Sequence, residues 1–134
     1  MIKIGAIFVP VRNVEKAIEW YKEKLELHHV GTWPEDTGAD FYFTTEKQYL
    51  SLVKVEEKQS GTFHVNKDQT LPYYNFSTDN LEAYRKKLQR KGVTVTDIED
   101  LGPVVGFDFF DQDENMFSVV VDKDNDQYFY VKEE

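Results

Sequence analysis

The chain has 134 residues, of which 40% are hydrophobic and 15% aromatic, which is enough for one domain with a hydrophobic core. It has no cysteine, which excludes disulfide frameworks, thiol nucleophiles and thiolate metal sites. The net charge of −9 argues against nucleic-acid binding, and no apolar run reaches the ~18 residues of a membrane span. We therefore expect a cytoplasmic protein with neither nucleic acid nor membrane as a partner.

The first half of the chain is predicted to form a strand, a helix and three further strands. Alternating apolar residues predict strands near 3–10, 27–33, 39–45 and 49–55. Between the first two, apolar residues recur at helical spacing from Val14 to Leu25, and Asn13 is the predicted N-cap. The polar, glycine-interrupted segment 56–70 follows and is predicted to be a linker.

The second half is predicted to repeat this order. Strands are predicted near 72–78, 94–100, 104–111 and 115–122, and a last strand near 127–131. The helix begins after Asn80, continues through Leu81 and Leu88, and ends at Gly92, a typical residue just beyond a helix.

The two halves align at a constant offset. Placing Asn13 on Asn80 gives 80 − 13 = 67, and the same offset places "YLSLVKV" at 49–55 on "MFSVVVD" at 116–122. Each half is thus predicted to be one βαβββ module, with module one at about 1–55 and module two at about 71–122.

The openings "VPVRNVEKAIEWYKEKLEL" and "STDNLEAYRKKLQRKGV" and the closing "FFDQDENMFSVVV" resemble the vicinal oxygen chelate superfamily, which includes glyoxalase I, bleomycin resistance proteins and extradiol dioxygenases. The resemblance implies an α+β fold in which two tandem βαβββ modules form a curved mixed sheet of half-barrels, with the helices outside. It implies a single domain over 1–134, and a homodimer, because members commonly dimerise. It says little about function, since one fold supports many chemistries.

In metal-using members of this family, four positions on the first and last strands of the modules carry His, Glu or Gln ligands. The resemblance places these positions at Ala6, Ser51, Tyr73 and Ser118. Alanine has no donor atom, and neutral serine and tyrosine hydroxyls are poor ligands for zinc, nickel, iron or manganese. We therefore expect no metal, no cofactor and no catalytic residue of the metal-dependent kind.

Other residues are weaker candidates for a site. His28 and His29 are adjacent on a predicted strand and point to opposite faces, and His64 lies in the linker. The segment "DKDNDQYFYVKE" begins like a calcium loop, but Gln127 replaces the glycine such loops need, so a turn between strands is favoured. The segments "EDTGAD" at 35–40 and "DQDEN" at 111–115 are predicted turns.

The favoured hypothesis is a protein that binds or sequesters a small aromatic or cationic molecule. Strand alternation and loop position direct a group of aromatic and small polar side chains to the predicted cavity: Phe8, Trp33, Tyr49, Ser51, Tyr73, Asn75 and Ser118. No carboxylate is expected among the inward positions. Three alternatives stay open: a metal-dependent lyase or dioxygenase whose ligands lie elsewhere, a metal-independent enzyme, and a barrel filled by its own aromatic side chains.

Overall fold

The computed structural model describes residues 1–43 and 46–123, so the strand predicted at 127–131 and most of the calcium-like segment lie outside the described residues. The elements in chain order are β1 Ala6–Val11, α1 Val14–Lys24, β2 His28–Thr32, β3 Gly38–Phe43, β4 Glu46–Lys54, β5 Thr62–Asn66, β6 Gln69–Pro72, β7 Asn75–Phe76, α2 Leu81–Arg90, β8 Thr94–Val95, β9 Glu99–Asp100, β10 Val104–Phe110 and β11 Met116–Asp122. A short 3-10 helix, Pro34–Asp36, lies between β2 and β3.

The chain divides into two compact units. Unit 1 comprises Met1–Gly61 and Asp111–Asn115, and unit 2 comprises Thr62–Phe110 and Met116–Glu134. The sheet of unit 1 has the order β1-β4-β3-β2, and the main sheet of unit 2 has the matching order β7-β11-β10-β8, with β9 also paired to β10. In both sheets the first strand is parallel to the last, and the other pairs are antiparallel. The predicted α+β fold with a repeated βαβββ order is confirmed, and neither sheet closes into a barrel.

The two helices begin with the same capping contact. The Asn13 side chain accepts a hydrogen bond from the Lys16 amide, and the Asn80 side chain accepts one from the Ala83 amide, both at 3.0 Å. Each asparagine therefore satisfies a backbone N–H that the first helical turn leaves unpaired. Helix α2 ends before Gly92, whose φ of +84° is the left-handed conformation that favours glycine.

The core of unit 1 lies between α1 and one face of its sheet. Because strand residues alternate between faces, Val9 and Val11 of β1 share this face with residues of β3 and β4. The buried residues of this layer are Val9, Val11, Val14, Ala17, Ile18, Tyr21, Ala39, Phe41, Leu50 and Leu52. The Tyr21 and Phe41 rings lie 6.1 Å apart, and this contact joins the helix to the sheet.

The core of unit 2 is aromatic. The rings of Phe76, Phe109 and Phe117 lie 5.3 to 6.2 Å from one another on β7, β10 and β11. Leu81 and Leu88 are the buried residues of α2. This layer leaves the alternate residues of the same strands, such as Ser118, on the other side of the sheet.

Three regions differ from the predicted elements. The strand predicted near 72–78 is reduced to the two residues of β7, Asn75–Phe76. The segment predicted as a linker contains β5, which pairs with β6 in an antiparallel hairpin. The strand predicted at 94–100 is divided into β8 and β9. Between them, the Thr96 hydroxyl accepts the Asp108 amide at 2.8 Å, and the Thr96 carbonyl accepts Arg85 Nε at 2.7 Å. The Thr96 amide still donates to the Asp108 carbonyl at 2.8 Å, so side chains replace only the return backbone bond from the Asp108 amide to the Thr96 carbonyl.

Candidate functional site

The candidate site in unit 1 is the sheet face opposite α1, which we call the distal face of unit 1: Phe8, Asp40, Tyr42, Tyr49 and Ser51. Phe8 and Asp40 both pair in register with Ser51, from the neighbouring strands β1 and β3. Tyr42 pairs in register with Tyr49. Since side chains at paired positions project to the same face, the sheet brings these five together.

Asp40 is the centre of the polar contacts on this face. Ser51 Oγ donates to Asp40 Oδ1 at 2.6 Å, and the indole Nε1 of Trp33 donates to Asp40 Oδ2 at 3.0 Å. Ser51 is only 3% exposed, whereas Asp40 is half-buried. The Ser51 hydroxyl therefore acts as a donor to a carboxylate. The Asp40 carboxylate holds both Ser51 and Trp33, two of the residues that the sequence predicted for the site.

Trp33 is held in place by a second contact. Its ring lies against Gly38, where an added Cβ atom would come within 2.4 Å of the Trp33 ring and 2.5 Å of the Leu52 carbonyl oxygen. Only a residue without a side chain leaves room for the ring there. One face of the indole thus packs on backbone, and its N–H is directed to Asp40.

Tyr42 and Tyr49 form a stacked pair on the same face. Their ring centroids lie 4.6 Å apart with the planes inclined by 22°, and their hydroxyls are hydrogen-bonded at 2.9 Å. The hydrogen bond to Tyr42 raises the pKa of Tyr49 above its ordinary value, and partial burial and the charge of Asp40 act in the same direction. The Tyr49 phenol is therefore neutral at physiological pH.

Unit 2 contains a matching arrangement. Ser118 Oγ donates to Asp108 Oδ1 at 2.5 Å, and Ser118 pairs in register with Asp108 on β10 and with Asn75 on β7. Ser118 is the repeat equivalent of Ser51, since 118 − 51 = 67. The distal face of unit 2 (Asn75, Asp108 and Ser118) thus repeats the serine–aspartate pair without an indole donor to Asp108 among the described residues.

Tyr73 lies just before β7 in unit 2 and is 60% exposed. Its ring lies 5.3 Å from that of Phe63 on β5, so the hairpin that the sequence did not predict provides its neighbour. Phe8 of unit 1 is similarly exposed, at 59%.

The metal ligand set that the family resemblance implies does not fit these residues. Ala6 offers no donor atom, and the neutral hydroxyls of Ser51 and Ser118, which donate their protons to carboxylates, are poor metal ligands. Within residues 1–43 and 46–123, no group of three or more histidine or acidic side chains could hold a metal ion. His29 instead contacts the Thr32 hydroxyl at 3.1 Å.

Sequence reasoning missed the two aspartates. No carboxylate stands at the inward positions predicted on β1, β4, β7 and β11, but Asp40 on β3 and Asp108 on β10 project beside Ser51 and Ser118. Asp40 ends the segment "EDTGAD", which was predicted to carry turn residues, and it also falls in the strand predicted near 39–45; the structure places it inside β3. Its alternation with the fully buried Ala39 and Phe41 is the signal that could have placed it on the distal face.

The predicted turn at 111–115 is confirmed, and it connects widely separated parts of unit 1. Asp111 accepts hydrogen bonds from the Tyr21 hydroxyl at 2.5 Å and from the Asn115 side chain at 2.8 Å. Asp113 accepts from the Arg12 amide and guanidinium at 3.0 and 2.9 Å. This turn supports the core beside α1 and is separate from the distal face.

Comparison with known proteins gives a family match over most of the chain. The sequence model of the Glyoxalase/Bleomycin resistance protein/Dioxygenase superfamily matches residues 3–119. No curated protein is a significant sequence match. The described residues include no helix long and apolar enough to cross a membrane.

Solved structures show the same fold at low identity. A superfamily member from Sphaerobacter thermophilus has a TM-score of 0.73 and 19% identity, covering 90% of this chain and 97% of that one. The antibiotic-binding protein TnmS3 from a Streptomyces species has a TM-score of 0.69 and 20% identity, covering 89% and 94%. A lactoylglutathione lyase from Agrobacterium tumefaciens has a TM-score of 0.67 and 14% identity, covering 88% and 92%.

Proposed function

Because this chain belongs to the glyoxalase, bleomycin resistance protein and dioxygenase superfamily, we propose that it binds and sequesters a small molecule without using a metal ion. The observation that carries this proposal is the engagement of Ser51 and Ser118, at two of the family's ligand positions, in hydrogen bonds to Asp40 and Asp108. At the other two ligand positions Ala6 has no donor atom and Tyr73 has a phenol, so none of the four positions carries a histidine, glutamate or glutamine.

The distal faces offer what a small-molecule site needs, namely flat apolar surface with a few fixed polar groups. In unit 1 these are Phe8, the Tyr42–Tyr49 pair and the Asp40–Ser51 pair. In unit 2 they are Asn75 and the Asp108–Ser118 pair, and the exposed ring of Tyr73 lies two residues before Asn75 in the chain. Aromatic stacking on such residues contributes about 0.5–1.5 kcal/mol per ring pair beyond the buried area.

The structural neighbours are compatible with this proposal, since one is an antibiotic-binding protein and another is a fosfomycin resistance protein from Listeria monocytogenes. The lactoylglutathione lyase with the same fold shows that the fold alone does not decide between binding and catalysis. The residues on the distal faces therefore carry the proposal.

Two measurements test it. Elemental analysis of protein purified without chelator should give well under one equivalent of zinc, nickel, iron or manganese. A thermal-shift screen of aromatic metabolites and antibiotics should yield binders, and a binder at 100 times its Kd stabilises the fold by about 2.7 kcal/mol. Stoichiometric metal, or methylglyoxal–glutathione turnover that EDTA abolishes, would instead support a metal-dependent enzyme.

Variants locate the binding surface. Phe8→Ala and Tyr73→Ala each remove an exposed ring, at 59% and 60% exposure, and at least one should reduce the shift caused by a binder. Leu101→Ala is the matched control, because Leu101 is 55% exposed and lies in the turn between β9 and β10. A shift that no distal-face variant changes, including Ser118→Ala, would place the ligand elsewhere.

A metal-independent enzyme is the second candidate, because the structure provides the carboxylates that sequence reasoning lacked. Asp40 or Asp108 would act as the general base, with its serine partner holding the carboxylate in position. Each binder should therefore be incubated with the protein and analysed by NMR. Quantitative recovery of unchanged compound supports sequestration, whereas a product whose formation requires Asp40 or Asp108 supports catalysis.

The homodimer, the single-domain arrangement and the cytoplasmic location remain predictions. Light scattering coupled to size-exclusion chromatography tests the first, since a monomer and a dimer of a 15.8 kDa chain are readily separated.

A further inference from the structure

We propose that Asp40 recognises a cationic group, so that the ligand of the distal face of unit 1 is a planar aromatic molecule with an ammonium, amidinium or guanidinium group. This inference rests on the proposed function and specifies its ligand class. It follows from the hydrogen-bonding capacity of Asp40, from its charge, and from the aromatic side chains beside it.

The carboxylate of Asp40 is fixed but not saturated. Two side chains of the described residues donate to it, one to each oxygen: Ser51 Oγ to Oδ1 and Trp33 Nε1 to Oδ2. A carboxylate accepts about four hydrogen bonds, so each oxygen retains one acceptor position. A protonated amine or a two-pronged amidinium supplies donors of the kind that these positions lack.

The charge of Asp40 has no partner in the part of the chain that the structure describes. Ser51 and Trp33 are neutral donors, and the ion pairs among the described residues involve other acidic side chains. Within the same unit Asp113 is paired with Arg12, at 2.9 Å. A half-buried carboxylate without a counter-ion costs free energy, which a bound cation would offset.

Aromatic side chains lie on both sides of this carboxylate. Tyr42 follows Asp40 on the same face of β3 and stacks on Tyr49 of β4. Phe8 and Asp40 pair with Ser51 from opposite sides, so they lie about two strand spacings, or roughly 10 Å, apart. A flat ring system above Ser51 would touch Phe8 and direct a cationic group to Asp40, where the tyrosine rings also favour positive charge.

The fold itself does not require a charge at this position. An asparagine could accept from the Trp33 indole with its oxygen and donate to the Ser51 hydroxyl with its nitrogen, which satisfies both existing partners. Asp40→Asn therefore removes the charge while keeping the hydrogen bonds, and we expect the variant to fold.

The experiment compares planar cations with neutral molecules of the same shape, namely 9-aminoacridine with acridine, 4-aminoquinoline with quinoline, and benzamidine with benzamide. Fluorescence or calorimetric titrations are run on the full chain as wild type, Asp40→Asn and Glu19→Gln. Glu19 is the charge-matched control because it is exposed on α1, on the other side of the sheet.

We expect the wild type to prefer the cation of at least one pair by about tenfold or more, as a charge-assisted hydrogen bond provides. Asp40→Asn should remove that preference, because it lowers the affinity for the cation and changes the affinity for the neutral molecule by less than about twofold. Glu19→Gln should leave both affinities unchanged. Ser51→Ala, which retains the carboxylate, should retain the preference and serves as the test if Asp40→Asn does not fold.

The other outcomes overturn the inference in distinguishable ways. If members of a pair bind equally well, or if Asp40→Asn leaves the preference intact, Asp40 does not recognise charge although the binding function stands. If Ser51→Ala abolishes the preference, the serine rather than the carboxylate carries it. If neither member of any pair binds the wild type, the proposed binding of planar aromatic molecules fails together with the inference.

Discussion

Removing a single hydroxyl group, by Tyr21→Phe, should destabilise unit 1 through a buried carboxylate. Tyr21 is 1% exposed and its hydroxyl donates to Asp111 Oδ2 at 2.5 Å. Asp111, at 7% exposure, also accepts hydrogen bonds from the backbone amides of Asp113 and Asn115 and from the side-chain nitrogen of Asn115. The phenylalanine ring fills the same space, so the change isolates the hydrogen bond.

The size of the effect should depend on pH. A hydrogen bond to a charged group contributes about 1.5–3 kcal/mol and one between neutral groups about 0.5–1.5 kcal/mol. Burial raises the pKa of Asp111 above its ordinary value of 3.8, while the Tyr21 hydroxyl acts to lower it. The stability that Asp111 contributes is therefore fully present below the unfolded pKa and is lost as pH rises through the folded pKa.

The Tyr21→Phe variant widens the pH range over which this stability is lost. Without the hydroxyl, the folded pKa of Asp111 rises again, so Tyr21→Phe loses additional stability as pH increases. We expect a penalty of about 1.5–3 kcal/mol at pH 7 and about 0.5–1.5 kcal/mol below pH ~3.8. Tyr21 itself remains the donor throughout, because burial and then the charge of Asp111 raise its pKa well above the ordinary value.

Urea unfolding at pH 7 and at about pH 3.5 measures both penalties, with fluorescence and circular dichroism as probes. Tyr42→Phe is the matched control, since it removes a half-buried hydroxyl whose partner, Tyr49, is neutral. That variant should lose less than about 1.5 kcal/mol at both pH values. A Tyr21→Phe penalty that is below ~0.5 kcal/mol at pH 7, or equal at the two pH values, would refute the account of Asp111.

Further variants test the helix ends and one close strand contact by the same unfolding assay. Asn13→Ala and Asn80→Ala should each cost about 1 kcal/mol, and similar values would support the equivalence of the two caps, whereas a negligible loss would contradict it. Gly92→Ala should lower the free energy of unfolding by about 1 kcal/mol through its φ of +84° alone, because nothing lies within 4 Å of the added Cβ. An unchanged urea midpoint would contradict this. Gly106→Ala should cost more, since its Cβ would meet the Val119 carbonyl at 2.5 Å, and a loss no larger than that of Gly92→Ala would show that β10 can shift.

The repeated fold could be predicted because its signals are local. Asn13 and Asn80 each cap a helix through an amide three residues later, and strand alternation depends only on neighbours in sequence. The β5–β6 hairpin was missed although Phe63 and Val65 alternate with polar neighbours, because the surrounding segment is polar and interrupted by glycine. Both side chains are exposed rather than part of a core. The segment's polar composition therefore favoured a linker.

The candidate site could be predicted only in part, because its polar contacts join residues distant in sequence. Ser51 was identified by its repeat position, but its partner Asp40 lies 11 residues away on another strand and followed turn-forming residues. The contact between Tyr21 and Asp111 spans 90 residues, so the sequence showed a turn and a buried tyrosine without connecting them. Composition and periodicity do not encode such pairings.

The assignment of Asp111–Asn115 to unit 1 has a genetic consequence. The two halves of the sequence look like copies that could be separated at the connecting segment, yet five residues from the second half complete the first unit. A gene cut after Gly61 would encode α1 and its sheet without acceptors for the Tyr21 hydroxyl and Arg12. We expect the 1–61 fragment alone to be unfolded by NMR, and native-like spectral dispersion from it would contradict this dependence. The two halves of the sequence are therefore not independent modules. A transfer of the first half into another protein would also have to include the turn Asp111–Asn115.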